Sequence, residues 1–247
     1  MRIALLGAGS IGTVLAQRLS DIGHEVKVAN SRAPETVNED VLRSGATATW
    51  AADVTDDADV VIVSVNYSAI SSVAEHVRAA PGGAVVIDAS NYYPRRDGPI
   101  EGLGGGQNES EWVRAVYGRP VVKAWNTITT DSFIHKASEP GSPARVALPV
   151  SADDEQHRAT AMSLVEQTGF DAFDAGPLRD SWRQQPGTPA YATDLDRDQL
   201  DAALERADAR RAARRRDLLI SIIEERAGDE DGNLDQASMV ALARLIF

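Results

Sequence analysis

The sequence predicts an α/β protein, a doubly wound and mostly parallel sheet followed by a small helical segment at the C-terminus. Three observations carry that prediction. Short apolar runs alternate with helix-period stretches through the first two-thirds of the chain. The first of those runs leads directly into Gly7-Ala8-Gly9-Ser10-Ile11-Gly12 and then a helical pattern. Beyond about residue 180 the short apolar runs give way to a polar, proline-containing stretch and a helix-rich tail.

Residues 3–6 are apolar throughout, as suits a strand buried on both faces. The glycine turn that follows has the G-x-G-x-x-G spacing of a Rossmann-type dinucleotide site. Gly7 permits the tight turn, Gly9 lets the backbone approach a pyrophosphate, and Gly12 lets the helix pack closely on the strand. That helix, residues 13–19 and onward, would present unpaired N–H groups to the phosphates. A second strand is expected at 25–29, and further strands at 46–50, 60–65, 84–88, 120–124 and 145–150. Helices are expected between them at 35–44, 69–80, 109–117 and 153–168, with Pro81-Gly82-Gly83 as a stop and Gly169 as a C-terminal cap. The seven runs together predict one parallel sheet covered on both faces. We divide the chain into a nucleotide-binding unit, residues 1–180, and a helical tail, residues 181–247, in which residues 198–225 read as helical.

The end of the second strand selects the cofactor. An NAD site carries an acidic residue there to accept bonds from the ribose hydroxyls, whereas this chain has Asn30-Ser31-Arg32. A guanidinium and two polar side chains suit a 2′-phosphate, so NADP(H) is expected. Ligands of open α/β sheets bind at the carboxyl ends of strands. Three further loops therefore qualify: Ser64-Val65-Asn66, Ala89-Ser90-Asn91 and Lys123-Ala124-Trp125-Asn126-Thr127. Lys123 has two readings, a donor to a cofactor or acceptor oxygen, or the partner of a strand-end carboxylate such as Asp88. Tyr92 and Tyr93 either cover the acceptor or pack on the domain surface.

Bulk properties narrow the partners. The 247 residues carry a formal net charge of −12, which argues against a nucleic-acid surface and for small-molecule substrates. There is no cysteine, hence no disulfide or thiolate metal site, and the expected location is the cytoplasm. No apolar run is long enough to cross a membrane, and the N-terminal run reads as a strand instead of a signal peptide. His24, His76, His135 and His157 have no metal-ligand spacing. The acidic stretch 229–235 resembles a calcium loop, but Leu234 stands where glycine is needed and Val240 where a bidentate glutamate is needed, so no metal is expected. The arginines at 210, 211, 214, 215 and 216 read as a solvated helix face or a homodimer contact.

At these motifs the chain resembles the coenzyme F420-dependent NADP oxidoreductases, which pass hydride between NADPH and a 5-deazaflavin. The likeness rests on residues 2–7, on Asn30-Ser31-Arg32, on Val122 through Thr127, and on Asp174-Ala175-Gly176-Pro177-Leu178, and it covers residues 1–180. It implies Ser10 and Ile11 at the pyrophosphate, Ser31 and Arg32 at the 2′-phosphate, Val65 and Asn66 beside the nicotinamide, and Asn126 and Ile128 at the deazaflavin or flavin-like acceptor. It also implies direct hydride transfer with no obligatory side-chain acid. Archaeal members have proline where this chain has Asn66 and histidine where it has Asn126. The stretch 181–195 and the tail look like bacterial relatives of unassigned substrate.

Other NADP enzymes fit less well. No tyrosine is followed four residues later by the lysine of a short-chain reductase, and no lysine beyond Lys136 could serve as the catalytic lysine of a β-hydroxyacid dehydrogenase. A reductase of a small carbonyl or imine, and a non-catalytic NADP(H) sensor, are the alternatives left open.

Overall fold

The computed structural model describes residues 1–103, 108–227 and 235–247. Six parallel strands form one sheet: β1 (Arg2–Leu6), β2 (Glu25–Ala29), β3 (Thr47–Ala48), β4 (Val60–Val63), β5 (Val85–Asp88) and β6 (Val122–Lys123). Their order in space is β3-β2-β1-β4-β5-β6, so the winding reverses between β1 and β4. The crevice at the carboxyl ends of those two strands is where such a sheet binds ligands.

The strand residues divide by parity. Ile3, Leu5, Val26, Val28, Val60, Ile62 and Ile87 point to one core, and Ala4, Leu6, Val61, Val63 and Val86 to the other. On the first side lie α1 (Ser10–Asp21), α6 (Thr130–His135) and α7 (Glu155–Gln167), through Leu15, Leu19, Phe133 and Leu164. On the second lie α3 (Ile70–Ala79) and α5 (Glu109–Tyr117), through Ile70, Val77, Val113 and Tyr117. The bounds of α5 coincide with the expected ones, because Asn108 accepts bonds from Ser110 N and Glu111 N at one end and Gly118 takes a left-handed conformation at the other.

Several expectations need correction. The run at 145–150 is not a seventh strand of the main sheet. Instead β7 (Ala147–Val150) pairs in parallel with β8 (Asp171–Asp174) in a separate two-stranded sheet. Among the described residues the two sheets are bridged at the backbone of Lys123 and Ser151 alone, and the chain leaves β6 at once, Trp125 having the left-handed φ of 57°. The helix expected at 35–44 is broken into a 3-10 turn, Pro34–Thr36, and the short α2 (Glu39–Leu42), whose N-terminus is capped by Asn38. The helical stretch expected at 198–225 consists of two helices, α8 (Arg197–Glu205) and α9 (Ala209–Ala227). Asp208 breaks it by accepting the Arg210 N–H, as a capping residue does. The remaining helices are α4 (Pro94–Asp97) and α10 (Gln236–Ile246). The acidic residues 229–234 lie outside the described residues.

Residues after β8 fold back over the sheet end. A 3-10 segment, Leu178–Gln184, packs beside α5. Ala192 N–H then bonds to Thr127 O at 2.8 Å and Ala147 N–H to Leu195 O at 2.8 Å. Gly187 makes this return possible: its φ is +93°, and a Cβ there would lie 1.9 Å from the Ala212 carbonyl oxygen of α9. Among the described residues no helix is long and apolar enough to cross a membrane.

Candidate active site

A cleft of about 1370 Å³ opens at the β1/β4 switch point. Its centre is the glycine turn. Gly7 has φ +110°, and a Cβ there would meet Ser64 O at 2.1 Å, so strand β4 passes as close as a side-chain-free turn allows. Gly9 differs, since nothing lies within 4 Å of its absent Cβ and that space belongs to the cleft. Gly12 does not line the cleft. A Cβ on it would meet Gly7 O at 2.1 Å, which gives it the helix-packing role. Helix α1 begins with Gly9 as its N-cap, with no side-chain cap and no acidic residue in its first turn. Its leading N–H groups, at Ser10 and Ile11, therefore remain available to an anion.

One arm of the cleft runs past β2. Asn30 Oδ1 accepts the Arg32 N–H at 2.8 Å and Asn30 Nδ2 donates to Thr36 Oγ1 at 3.0 Å, so Asn30 shapes the loop. Ser31 and Arg32 are exposed and line the cleft, and among the described residues no carboxylate pairs with the Arg32 guanidinium. Asn38, Trp50 and His76 complete this arm, and none carries a sequence motif. Trp50 is 54% exposed, an unusual placement for a large aromatic ring.

The other arm passes the ends of β4 and β5. Ser64, Val65, Asn66, Ser90 and Asn91 line it, as does Ile128. Ser90 Oγ is buried and has no hydrogen-bond partner among the described residues, so a polar atom at the cleft wall is left for a ligand. The donor set suits a dinucleotide phosphate: free helix N–H groups in the middle, a cradle that a Cβ would fill, and a free guanidinium at one end.

Two sequence-predicted residues do not reach this arm. Lys123 is fully buried, its Nζ donating to Asp88 Oδ2 at 2.7 Å and to Ser90 O, and it does not line the cleft. Its reading as a donor to acceptor oxygen is replaced by that of a strand-end partner for Asp88, which in turn accepts Ser90 N–H at 3.0 Å. Asn126 is 1% exposed and also lies outside the cleft wall. It bonds Asn91 Oδ1 at 3.2 Å and Gln184 O at 2.7 Å, and accepts from Gln184 Nε2 at 2.8 Å, so it holds Asn91 from behind the cleft wall. Burial follows from the return segment, which the local sequence does not announce.

Other residues take the place of these two. Tyr93, Arg96, Thr130 and Tyr191 line the far end, with the Tyr93 and Tyr191 hydroxyls hydrogen-bonded to each other. Burial raises both phenols above their ordinary range. Tyr92, by contrast, is buried against the Arg216 guanidinium, 5.7 Å from its ring, and does not face the cleft. Arg216 thereby departs from the solvated face expected of its cluster. Beneath this end Glu109 is fully buried and pushed up to about 7 by that burial, although Lys123 and the Tyr92 N–H bond oppose the shift.

Strand order, glycine turn and cleft together define a Rossmann-type dinucleotide-binding protein. Residues 2–92 match the family described as NADP oxidoreductase, coenzyme F420-dependent, and the chain belongs to that family. It is similar to SMa0349, a hypothetical protein of Sinorhizobium meliloti, with 31% identity over 79% of this chain and 95% of that one and a TM-score of 0.67. A provisionally named F420-dependent NADP reductase from Arthrobacter sp. FB24 has 23% identity, over 74% and 90% of the two chains, with a TM-score of 0.57. Pyrroline-5-carboxylate reductase from Coxiella burnetii has 14% identity over 99% and 76%, with a TM-score of 0.52. The last two share the fold. Among curated proteins, YjhV of Escherichia coli (strain K12) is 42% identical over 62 residues, which are 25% of this chain and 45% of that protein. The match thus spans less than half the length of that relative.

Proposed function

We propose that this protein is an NADPH-dependent oxidoreductase that transfers hydride directly between NADP(H) and a deazaflavin or flavin-like acceptor. The observation that carries the reading is the shape of the cleft, which has an anion-binding turn at its middle, Arg32 at one end and an open far arm at the other. In this reading Gly7, Gly9, Ser10 and Ile11 hold the pyrophosphate, Asn30, Ser31 and Arg32 the 2′-phosphate, and Val65, Asn66, Ser90 and Asn91 the nicotinamide half. NADPH, when bound, supplies the hydride. The chain's own part is to fix the two reactants in contact and to exclude water, a contribution that positioning alone makes large. The cleft lining continues past Asn66 to Tyr191, which supports an enzyme over a non-catalytic sensor.

Stopped-flow oxidation of bound NADPH against deazaflavin, flavin, quinone, carbonyl and imine acceptors tests the function. Fastest oxidation by the deazaflavin or flavin is expected; a carbonyl or imine preference would move the assignment to a reductase of that class, and inertness to all would end it. Arg32→Ala is expected to weaken NADPH binding by about 1.5–3 kcal/mol, the worth of a hydrogen bond to a charged group, and to leave NADH binding nearly unchanged. Equal losses would refute the 2′-phosphate assignment. In the same reading the protein acts in the cytoplasm, and the helical tail, where Leu218 and Leu245 are exposed, contributes to a homodimer, to be checked by the mass in solution.

A further inference from the structure

We infer that Tyr191, backed by Tyr93, is the proton donor to the acceptor, so that the site delivers a hydride from one side and a proton from the other. The inference rests on the oxidoreductase reading above. Its basis is an inventory of protons. The two phenols carry two hydroxyl protons, and their mutual hydrogen bond uses one. Neither hydroxyl has another protein partner among the described residues, while both residues line the far arm of the cleft. One acidic proton at the acceptor end is thus left to be donated.

The spare proton belongs to Tyr191. Either hydroxyl can donate in their mutual bond; in the proposed arrangement Tyr93 donates and Tyr191 accepts, which leaves the Tyr191 proton for the acceptor. A Tyr191 phenolate would keep that bond in its stronger, charge-assisted form. The charged groups around the pair are the Arg96 guanidinium, 5.1 Å from the Tyr93 ring centre and bonded to Asn91 O, the Asp97 carboxylate it pairs with at 2.9 Å, and the buried Glu109.

The backbone around Tyr191 is held in place at a cost, as at other functional sites. Ala192 and Asp194 have φ of 57° and 47° without being glycine. Arg244 donates to Thr193 O at 2.7 Å and Asp194 O at 2.9 Å, Lys136 pairs with Asp194 at 2.9 Å, and Ala192 N–H bonds Thr127 O at 2.8 Å. These contacts hold the backbone that follows Tyr191.

The step balances. NADPH is oxidised by two electrons and its hydride forms a C–H bond on the acceptor. The Tyr191 O–H bond breaks as a new H–N or H–O bond forms on the heteroatom that takes up the negative charge, and solvent water reprotonates the phenolate. The acceptor class is accordingly one whose reduced form gains a proton on nitrogen or oxygen, as the pyrimidine ring of a deazaflavin does.

The test compares wild type, Tyr191→Phe and Tyr93→Phe. With NADPH and a 5-deazaflavin, Tyr191→Phe is expected to slow single-turnover oxidation about 100-fold, the typical worth of a positioned acid. NADPH affinity stays the same, and the wild-type solvent deuterium effect and its pH dependence disappear. Without any cofactor, NMR titration of tyrosine ring carbons is expected to show Tyr191 ionising at higher pH in Tyr93→Phe, since the phenolate loses its donor. An undiminished rate in Tyr191→Phe, or a Tyr191 ionisation that does not rise in Tyr93→Phe, overturns the donor role alone. Failure of wild type to oxidise NADPH with every acceptor overturns the function and the donor role together.

Discussion

Replacing Lys123 by methionine probes the buried end of the sheet while keeping most of the side-chain volume. In the native protein both partners of the Lys123–Asp88 pair are fully buried, at 2.7 Å, and the ammonium also donates to the Ser90 carbonyl. Without it Asp88 keeps the Ser90 N–H as its remaining hydrogen bond in a site closed to water. Breaking a buried pair from one side costs about 3–5 kcal/mol, because the other charge is left uncompensated. Lys123→Met should therefore lose about that much in urea denaturation at neutral pH without cofactor. Adding Asp88→Asn should restore most of it, as removing the orphaned charge removes the cause. The folded variant should bind NADPH as wild type does, since Lys123 lies outside the cleft wall. A stability loss below about 1 kcal/mol together with weakened NADPH binding would refute this and return Lys123 to the cleft.

Glu109 gives a pH signature. Its pKa rises from the ordinary 4.5 to about 7 through burial, so the folded state favours the protonated acid. Its stabilising contribution is full below about pH 4.5 and is lost as pH climbs to about 7, at ~1.4 kcal/mol per pH unit, or about 3 kcal/mol in all. Glu109→Gln should gain on wild type by that amount across this window and hold the gain above it; denaturation curves showing a pH-independent difference would contradict the burial argument. Gly187→Ala should lose about 1–3 kcal/mol beyond Gly23→Ala. Both positions have φ near +90°, but only Gly187 has a carbonyl oxygen 1.9 Å from the added methyl, and equal melting temperatures for the two variants would remove that contact from the account.

The β1–α1–β2 unit was legible because each of its constraints is local. A continuous apolar run, a turn with three glycines and a polar strand end all lie within 32 residues. Arg32 reaches the cleft as its position implies. Of the two readings of Lys123 the structure has the partner of Asp88, and Asn126 was misplaced for a physical reason. A residue at a strand end faces the ligand only if nothing else covers it, and here Gln184, far along the chain, folds back to cover Asn126. Tyr191 was illegible for the complementary reason, since it enters the cleft through a bond between Ala192 and Thr127 that no local pattern encodes. The separate pairing of β7 with β8 likewise depends on the left-handed turn at Trp125, a conformation a bulky residue rarely takes.

Gly187 has a mechanical meaning as well as a steric one. It presses bare backbone against the carbonyl of Ala212, four positions before Tyr191 in the chain. A joint without side chains has no slack, so a displacement of α9 is passed to the loop instead of being absorbed by a rotamer.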